Sequence, residues 1–278
     1  MLFVCFHFMP WPHLPADFEQ RYESAWLTCP NTLYDPAVGH ALYGEYLDQL
    51  AAAEELGFDA IGVNEHHQNA YGLMPSPNVI AACLSQRTRR VKILILGNAL
   101  PLYDHPLRVA EELAMLDVIT GGRLIAGMVV GLGVEAYTYE VNPTFFRERY
   151  REAHDLIVEA WTRPVPFHFE GKHYDFRFVN VWPRPLQQPH PPIVLPADSD
   201  EGLETAARRR VPTGVAYRSL ERSHSTFDRY RAAAARHGWT PTPEHCLVLR
   251  HVYVAESNAR AREEAEPHLD YFWQKLLS

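Results

Sequence analysis

Cysteine is scarce in this chain of 278 residues, and its four copies, Cys5, Cys29, Cys83 and Cys246, form no CxxC or other zinc-like spacing. Neither a disulfide framework nor a thiolate metal site is expected; free thiols in a reducing cytosol are, so a cytoplasmic location is expected. Positive charge is the minority sign: 26 Lys and Arg against 34 Asp and Glu give a formal net charge of −8. Such a molecule repels a phosphate backbone, and no basic stripe offsets the repulsion, so nucleic acid and anionic membrane are excluded as expected partners. No apolar run approaches the roughly 18 residues that suggest a membrane span. The opening MLFVCFHFMPW is apolar but short, lacks a charged leader and is interrupted by His7 and Pro10, so it reads as a buried first strand and not as a signal peptide. There is no GxSxG elbow and no GxxxxGK[ST] loop, which leaves serine-hydrolase and P-loop chemistry without support.

What is present is a soluble globular balance, 47% apolar and 22% charged, in which short apolar runs alternate with amphipathic stretches. That rhythm predicts βα units around a parallel sheet, whose doubly covered strands read as near-continuous apolar segments. Strands are predicted at Leu2–Phe8, Phe58–Val63, Val91–Leu96, Arg123–Val130, Ile193–Pro196, Val211–Tyr217 and Leu247–Ala255. Helices are predicted at Tyr43–Leu56, from Ser76-Pro77, from Pro106 to the Gly121-Gly122 stop, and at Phe145–Trp161, Gly202–Arg210, Glu221–His237 and Ala259–Leu277. The fold class expected is α/β, a single (β/α)-barrel domain over 1–278, truncated to about seven βα units. An irregular, aromatic insertion at about 9–42 follows the first strand. The stretch VWPRPLQQPHPP at 181–192 holds five prolines, which forbid helix and ladder alike and predict an extended connector.

In such barrels the chemistry sits at the carboxyl ends of the strands, which singles out four places. Asn64-Glu65-His66-His67 ends the second strand; a carboxylate beside two imidazoles moves protons near neutral pH. A metal is less expected there, because adjacent residues of a strand end point apart and no HxH cluster accompanies them, although a metal-dependent hydrolase using Glu65 and His66 is a third reading. Gly97-Asn98-Ala99 lets backbone approach a flat ligand or simply makes a turn. The stretch GMVVGLG at 127–133, followed by Glu135, Tyr137 and Tyr139, shapes a ligand floor without being the GxGxxG fingerprint. Ser199, ahead of Gly202, caps a helix whose free N–H groups form an anion site, against the repulsion of Asp200 and Glu201; capping alone is the blander reading.

Taken together, EELGFDAIGVNEHH (54–67), PSPNVIAACLSQRTRRVKI (75–93), HPLRVAEELAMLDVITGGRL (105–124), RERYREAHDLIVEAW (147–161), FEGKHYDF (169–176) and WPRPLQQPHPPI (182–193) resemble the luciferase-like monooxygenase family. The resemblance implies a (β/α)₈ barrel that binds FMN across the strand ends. It implies reduced flavin from a separate flavin reductase, used with oxygen to oxidise a small apolar organic molecule, and a homodimer. It places His66 in proton management at the flavin with Glu65 as its carboxylate neighbour, Asn98 and Ala99 against the ring system, Tyr137 on the flavin chain, and Ser199 and Gly202 at the phosphate. Val130 occupies the strand-four position where many relatives carry a flavin-contacting arginine, and relatives run on to an eighth strand and helix. These two departures sustain an alternative, a non-catalytic or vestigial flavin-binding barrel.

Overall fold

The computed structural model describes residues 1–277. Strand β1 (Val4–Phe6) leads into a long irregular segment holding the four-residue helix α1 (Phe18–Arg21), and α2 (Pro36–Glu55) follows. Then come β2 (Ala60–Val63), α3 (Pro77–Arg87), β3 (Lys92–Ala99), α4 (Leu107–Thr120), β4 (Leu124–Val129), the short helix α5 (Gly133–Thr138) and α6 (Phe146–Thr162). A hairpin, β5 (Phe167–Glu170) and β6 (Asp175–Val179), precedes the proline-rich connector. The rest is β7 (Ile193–Val194), α7 (Asp200–Arg209), β8 (Thr213–Ala216), α8 (Leu220–Arg236), β9 (Cys246–Leu249), α9 (Asn258–Asp270) and a π-helical turn over Tyr271–Leu276.

The wall is parallel. Strands β1, β2, β3, β4 and β7 form one sheet in that order, and β8 pairs with β9 in register Thr213↔Cys246 to Ala216↔Leu249. The two pieces join: the Leu195 N–H donates to Pro212 O at 2.9 Å and the Ala197 N–H to Gly214 O at 3.2 Å. Among the described residues no ladder links β9 back to β1. Aromatic rings cross that seam instead, with Phe8 5.9 Å and Tyr217 5.5 Å from the Phe272 ring, and Tyr71 5.6 Å from it. Tyr271 ties the seam down, accepting the Leu14 N–H and donating to Trp11 O.

Several expected boundaries move. Strand one shrinks to three residues. Helix α2 begins at Pro36, not Tyr43, because the Asp35 carboxylate accepts the Ala37 N–H at 2.8 Å and proline suits the first helical turn; the insertion therefore ends near residue 35, not 42. The β5–β6 hairpin was not expected at all. The last strand stops at Leu249, and Val252 and Val254 beyond it are exposed. The last helix divides at Asp270. The connector at 181–192 contains neither helix nor strand, as its prolines require.

Close packing sets the wall's finer geometry. A Cβ on Gly127 would lie 2.1 Å from Ile95 O, and one on Gly97 2.4 Å from Gly127 O. Two glycines thus let β3 and β4 touch backbone to backbone where β3's register shifts between Ile95 and Asn98. Outside the wall, Trp161 of α6 is fully buried and donates its indole N–H to Ala110 O of α4 at 2.9 Å.

Nearby on α6, His154 is 4% exposed; Arg209 donates its Nε–H to the His154 Nδ1 at 3.0 Å. Burial, ahead of its neighbours' charges, pulls this imidazole's pKa below the usual value. The folded state therefore binds fewer protons at this site than the unfolded chain does just below about pH 6.5. The stabilisation is present in full above that pH and drains away as pH falls toward the lowered native value. Between pH 6.5 and 5.5 the loss is expected to reach up to about 1.4 kcal/mol per pH unit, one proton's worth. Urea midpoints at these two pH values check it: a drop that shrinks in His154→Gln is expected, and an equal drop in both proteins would remove His154 as its source.

Candidate active site

Residues 64–67 leave β2 and enter the barrel mouth. Successive side chains diverge there, so the two histidines meet different surroundings. His67 turns inward. Its Nε2 lies 2.8 Å from Glu65 Oε1 and its Nδ1 2.7 Å from the Tyr139 hydroxyl. Glu65, with a fully buried side chain, also accepts from Tyr103 Oη at 2.8 Å and Asn98 Nδ2 at 3.2 Å. A carboxylate so surrounded is fully hydrogen-bonded, which is what makes burial of its charge tolerable. Burial first, and then the charge of Glu65, pushes the Tyr103 phenol far above its ordinary value, so it stays a neutral donor. With Glu65 accepting, His67 donates from Nε2 and accepts the Tyr139 O–H at Nδ1.

His66 turns the other way, onto the wall of a cavity of about 1270 Å³. Its Nδ1 lies 2.9 Å from Glu135 Oε1 of α5, and the rings of Trp26 and Tyr71 meet it edge-on at 5.2 and 4.8 Å. The walls are mostly aromatic and aliphatic, with Trp11, Trp26, Leu33, Tyr34, Tyr43, Leu73 and Tyr137 among them, and carry a few amides such as Gln68, Asn69 and Asn142. The Trp11 indole N–H is buried without a hydrogen-bond partner among the described residues. An apolar chamber with sparse polar groups suits an organic ligand.

A second, small cleft of about 30 Å³ lies between α6 and the start of α7, lined by Val130, Arg147, Arg151, Ala197, Glu201 and Gly202. Ser199 caps α7, accepting the Gly202 N–H at 3.3 Å. A Cβ on Gly202 would sit 2.7 Å from that of Ala197, so only glycine keeps this cradle open. Arg147 Nη1 donates to Ser199 Oγ at 3.2 Å, and Arg147 and Arg151 share Glu201. Asp200 is paired with Arg229 at 2.8 Å and Asp198 with Arg218. The repulsion of a phosphate expected from the acidic helix start is therefore offset by guanidinium groups that sequence reasoning did not place there.

The expected site residues thus separate. His66 and Tyr137 line the large cavity, and Val130 and Gly202 line the cleft beside Ser199. Glu65, Asn98 and Ala99 reach neither and stand buried behind His67. Glu65, expected as the carboxylate neighbour of His66, is hydrogen-bonded to His67, and the carboxylate that meets the His66 ring is that of Glu135. Sequence reasoning names Glu135 only as a residue following the glycine-rich floor, without its link to His66, and misses Arg147. A Glu three residues after Leu132 at a helix start is a signal for the former, because its Oε2 accepts the Leu132 N–H at 3.1 Å. Among the described residues no three His, Cys, Asp or Glu side chains are grouped to hold a metal ion, and no helix is long and apolar enough to cross a membrane.

A family model described as luciferase-like monooxygenase matches residues 27–276. The chain belongs to this family. Within it, an uncharacterized protein of Sinorhizobium fredii is 36% identical over 173 residues, covering 61% of this chain and 50% of its own. The oxygenase component of the flavin-dependent trigonelline monooxygenase of Acinetobacter baylyi is 29% identical over 231 residues, 81% of this chain and 62% of its own. The chain spans between half and three-fifths of the length of these curated relatives. A solved monooxygenase from Streptomyces bottropensis superposes with a TM-score of 0.77 at 31% identity, covering 84% of this chain and 72% of that one. The oxygenating constituent of 3,6-diketocamphane monooxygenase from Pseudomonas putida, solved with FMN, gives 0.80 at 19% identity over 99% and 74%, a likeness of fold.

Proposed function

We propose that this luciferase-like protein is a flavin-dependent monooxygenase that uses reduced FMN, delivered by a separate reductase, and O₂ to oxidise a small apolar organic molecule. One observation carries the reading: His66, its Nδ1 committed to a buried carboxylate, places an imidazole, the side chain suited to general acid–base work, on the wall of a large aromatic cavity. The cavity's aromatic walls suit the flavin ring and an apolar substrate. Ser199, the Gly202 cradle, Val130 and Arg147 suit the flavin's phosphate end. Bound there, reduced FMN would supply the activation of oxygen. The protein's own part is to exclude water with Trp11, Trp26 and Tyr34 and to hold a proton at His66 Nε2.

The absent strand-four arginine favours a second reading, a flavin-binding barrel without turnover; Arg147 weakens it by supplying a cation from α6. Met115, Val118 and Ile119 near the end of α4 are exposed apolar side chains, which supports a homodimer. A cytoplasmic location accords with the free thiols.

Titration with FMN is expected to quench flavin fluorescence at micromolar protein. Riboflavin, which lacks the phosphate, should bind about 10- to 100-fold more weakly, the value of a charged hydrogen bond. Arg147→Ala should remove most of that preference. No quenching at high micromolar flavin would sink both flavin readings; an undiminished preference in the variant would release Arg147 from the phosphate.

A further inference from the structure

His66 and His67 are neighbours in sequence, yet each has its own partner on the segment that follows β4. Tyr139 meets His67, and Glu135 meets His66. The second pairing has the features of a built device. Glu135 has a side chain only 2% exposed, and its carboxylate is gripped from both sides: Oε2 accepts the Leu132 N–H while Oε1 faces His66 Nδ1. His66 in turn is held in plane by Trp26 and Tyr71, and a Cβ on Gly72 would lie 3.4 Å from its own Cβ. A carboxylate acceptor at Nδ1 selects the tautomer with its proton there, and Nε2 has no protein partner among the described residues.

We propose that Glu135 is a positioning residue: it fixes His66 as the Nδ1–H tautomer and presents Nε2 to the cavity as the proton-accepting atom. The role in turnover rests on the function proposed above; the pairing does not.

The electrostatics around the ring point the same way. Among the described residues no Lys or Arg lines the cavity, so none of them sets a cation against an imidazolium at His66. Glu140 lines the same cavity and favours it. Glu65 lies on the far side, engaged by His67. Tyr71 carries no charge near neutral pH, because burial first, then Tyr217 and Glu135, drive its phenol well above the ordinary range. Among the described residues Glu135 is therefore the carboxylate that both touches the ring and orients it. Such a carboxylate only accepts hydrogen bonds and so selects the ring's tautomer, whereas an amide of the same shape also donates.

The test reads the imidazole directly. Nitrogen NMR shifts of the flavin-free protein, with His66 assigned by the signal lost in His66→Gln, report which ring nitrogen carries the proton in the wild type, Glu135→Gln and Glu135→Asp. The wild type and Glu135→Asp should show the Nδ1–H form, and Glu135→Gln, whose amide N–H donates to Nδ1, should move the ring toward the Nε2–H form. In Glu135→Gln kcat should fall with KM little changed, and Glu135→Asp should recover part of the loss. An unchanged His66 tautomer in Glu135→Gln would overturn the proposal, and the Leu132 bond, which an amide oxygen keeps, guards against a collapse of α5. A changed tautomer with an unchanged kcat would uphold the pairing and sink the assignment of proton handling to His66.

Discussion

Alanine in place of His66 is expected to slow substrate oxidation by reduced flavin about 10²- to 10⁴-fold, the usual worth of a positioned general acid or base, while flavin affinity changes little. The reasoning starts from geometry. His66 lines the cavity and its Nδ1 is already taken by Glu135 at 2.9 Å, so one ring nitrogen is left for chemistry and none for structure. Alanine also strands the Glu135 carboxylate, which is buried, at a cost of about 1–3 kcal/mol. His66→Gln serves as the control, since its amide is able to donate to that carboxylate but takes no proton at neutral pH. Both variants should bind flavin with near wild-type fluorescence quenching, and both should lose turnover in single-turnover assays with pre-reduced flavin. Wild-type turnover in either would end the role assigned to His66.

The second large effect is structural. Trp161→Ala is expected to destabilise the fold by about 3–5 kcal/mol, as removal of a fully buried large aromatic does when the cavity only partly collapses. Trp161 has no exposed surface and bridges α6 to α4 through Ala110 O. At about 2–4 °C per kcal/mol for a domain of this size, the melting temperature should drop by roughly 6–20 °C. Trp161→Phe keeps most of the ring and loses the hydrogen bond, so it should fall between. A melting temperature for the alanine variant within about 2 °C of the wild type, less than 1 kcal/mol on the same scale, would mean that α6 docks on α4 without this anchor.

How much of this was legible beforehand follows from what kind of signal each feature leaves. Strands β2, β3 and β4 lay close to their expected positions, because a strand covered on both faces leaves a near-continuous apolar run. Ser76-Pro77 announces its helix cap in the sequence, while the equivalent Asp35-Pro36 is masked by the aromatic, proline-rich segment around it. The β5–β6 hairpin is half exposed, and its alternation spans only four or five residues per strand, too short to stand out. At the site, Asn64 to His67 was found from its position at a strand end. Its wiring was not, because it is tertiary: Glu135 lies 69 residues from His66, and Tyr139 lies 72 from His67. Periodicity says which face a residue takes, not whom it meets there. Arg147 was invisible for the same reason, sitting 52 residues before the serine it contacts.

The seam between β9 and β1 bears on how the molecule is made. Tyr271 grips residues 11 and 14, and the Trp26 indole donates to Leu276 O at 2.9 Å. These clasps span some 250 residues of chain, the most costly contacts to gather by chance encounter. During vectorial synthesis the aromatic insertion after β1 emerges early and waits, with Trp11, Phe18 and Trp26 lacking their final cover, until Leu276 has cleared the ribosome. The lining of the cavity thus stays incomplete, with its aromatic side chains open to wrong partners, over the 250 residues of synthesis that separate Trp26 from Leu276.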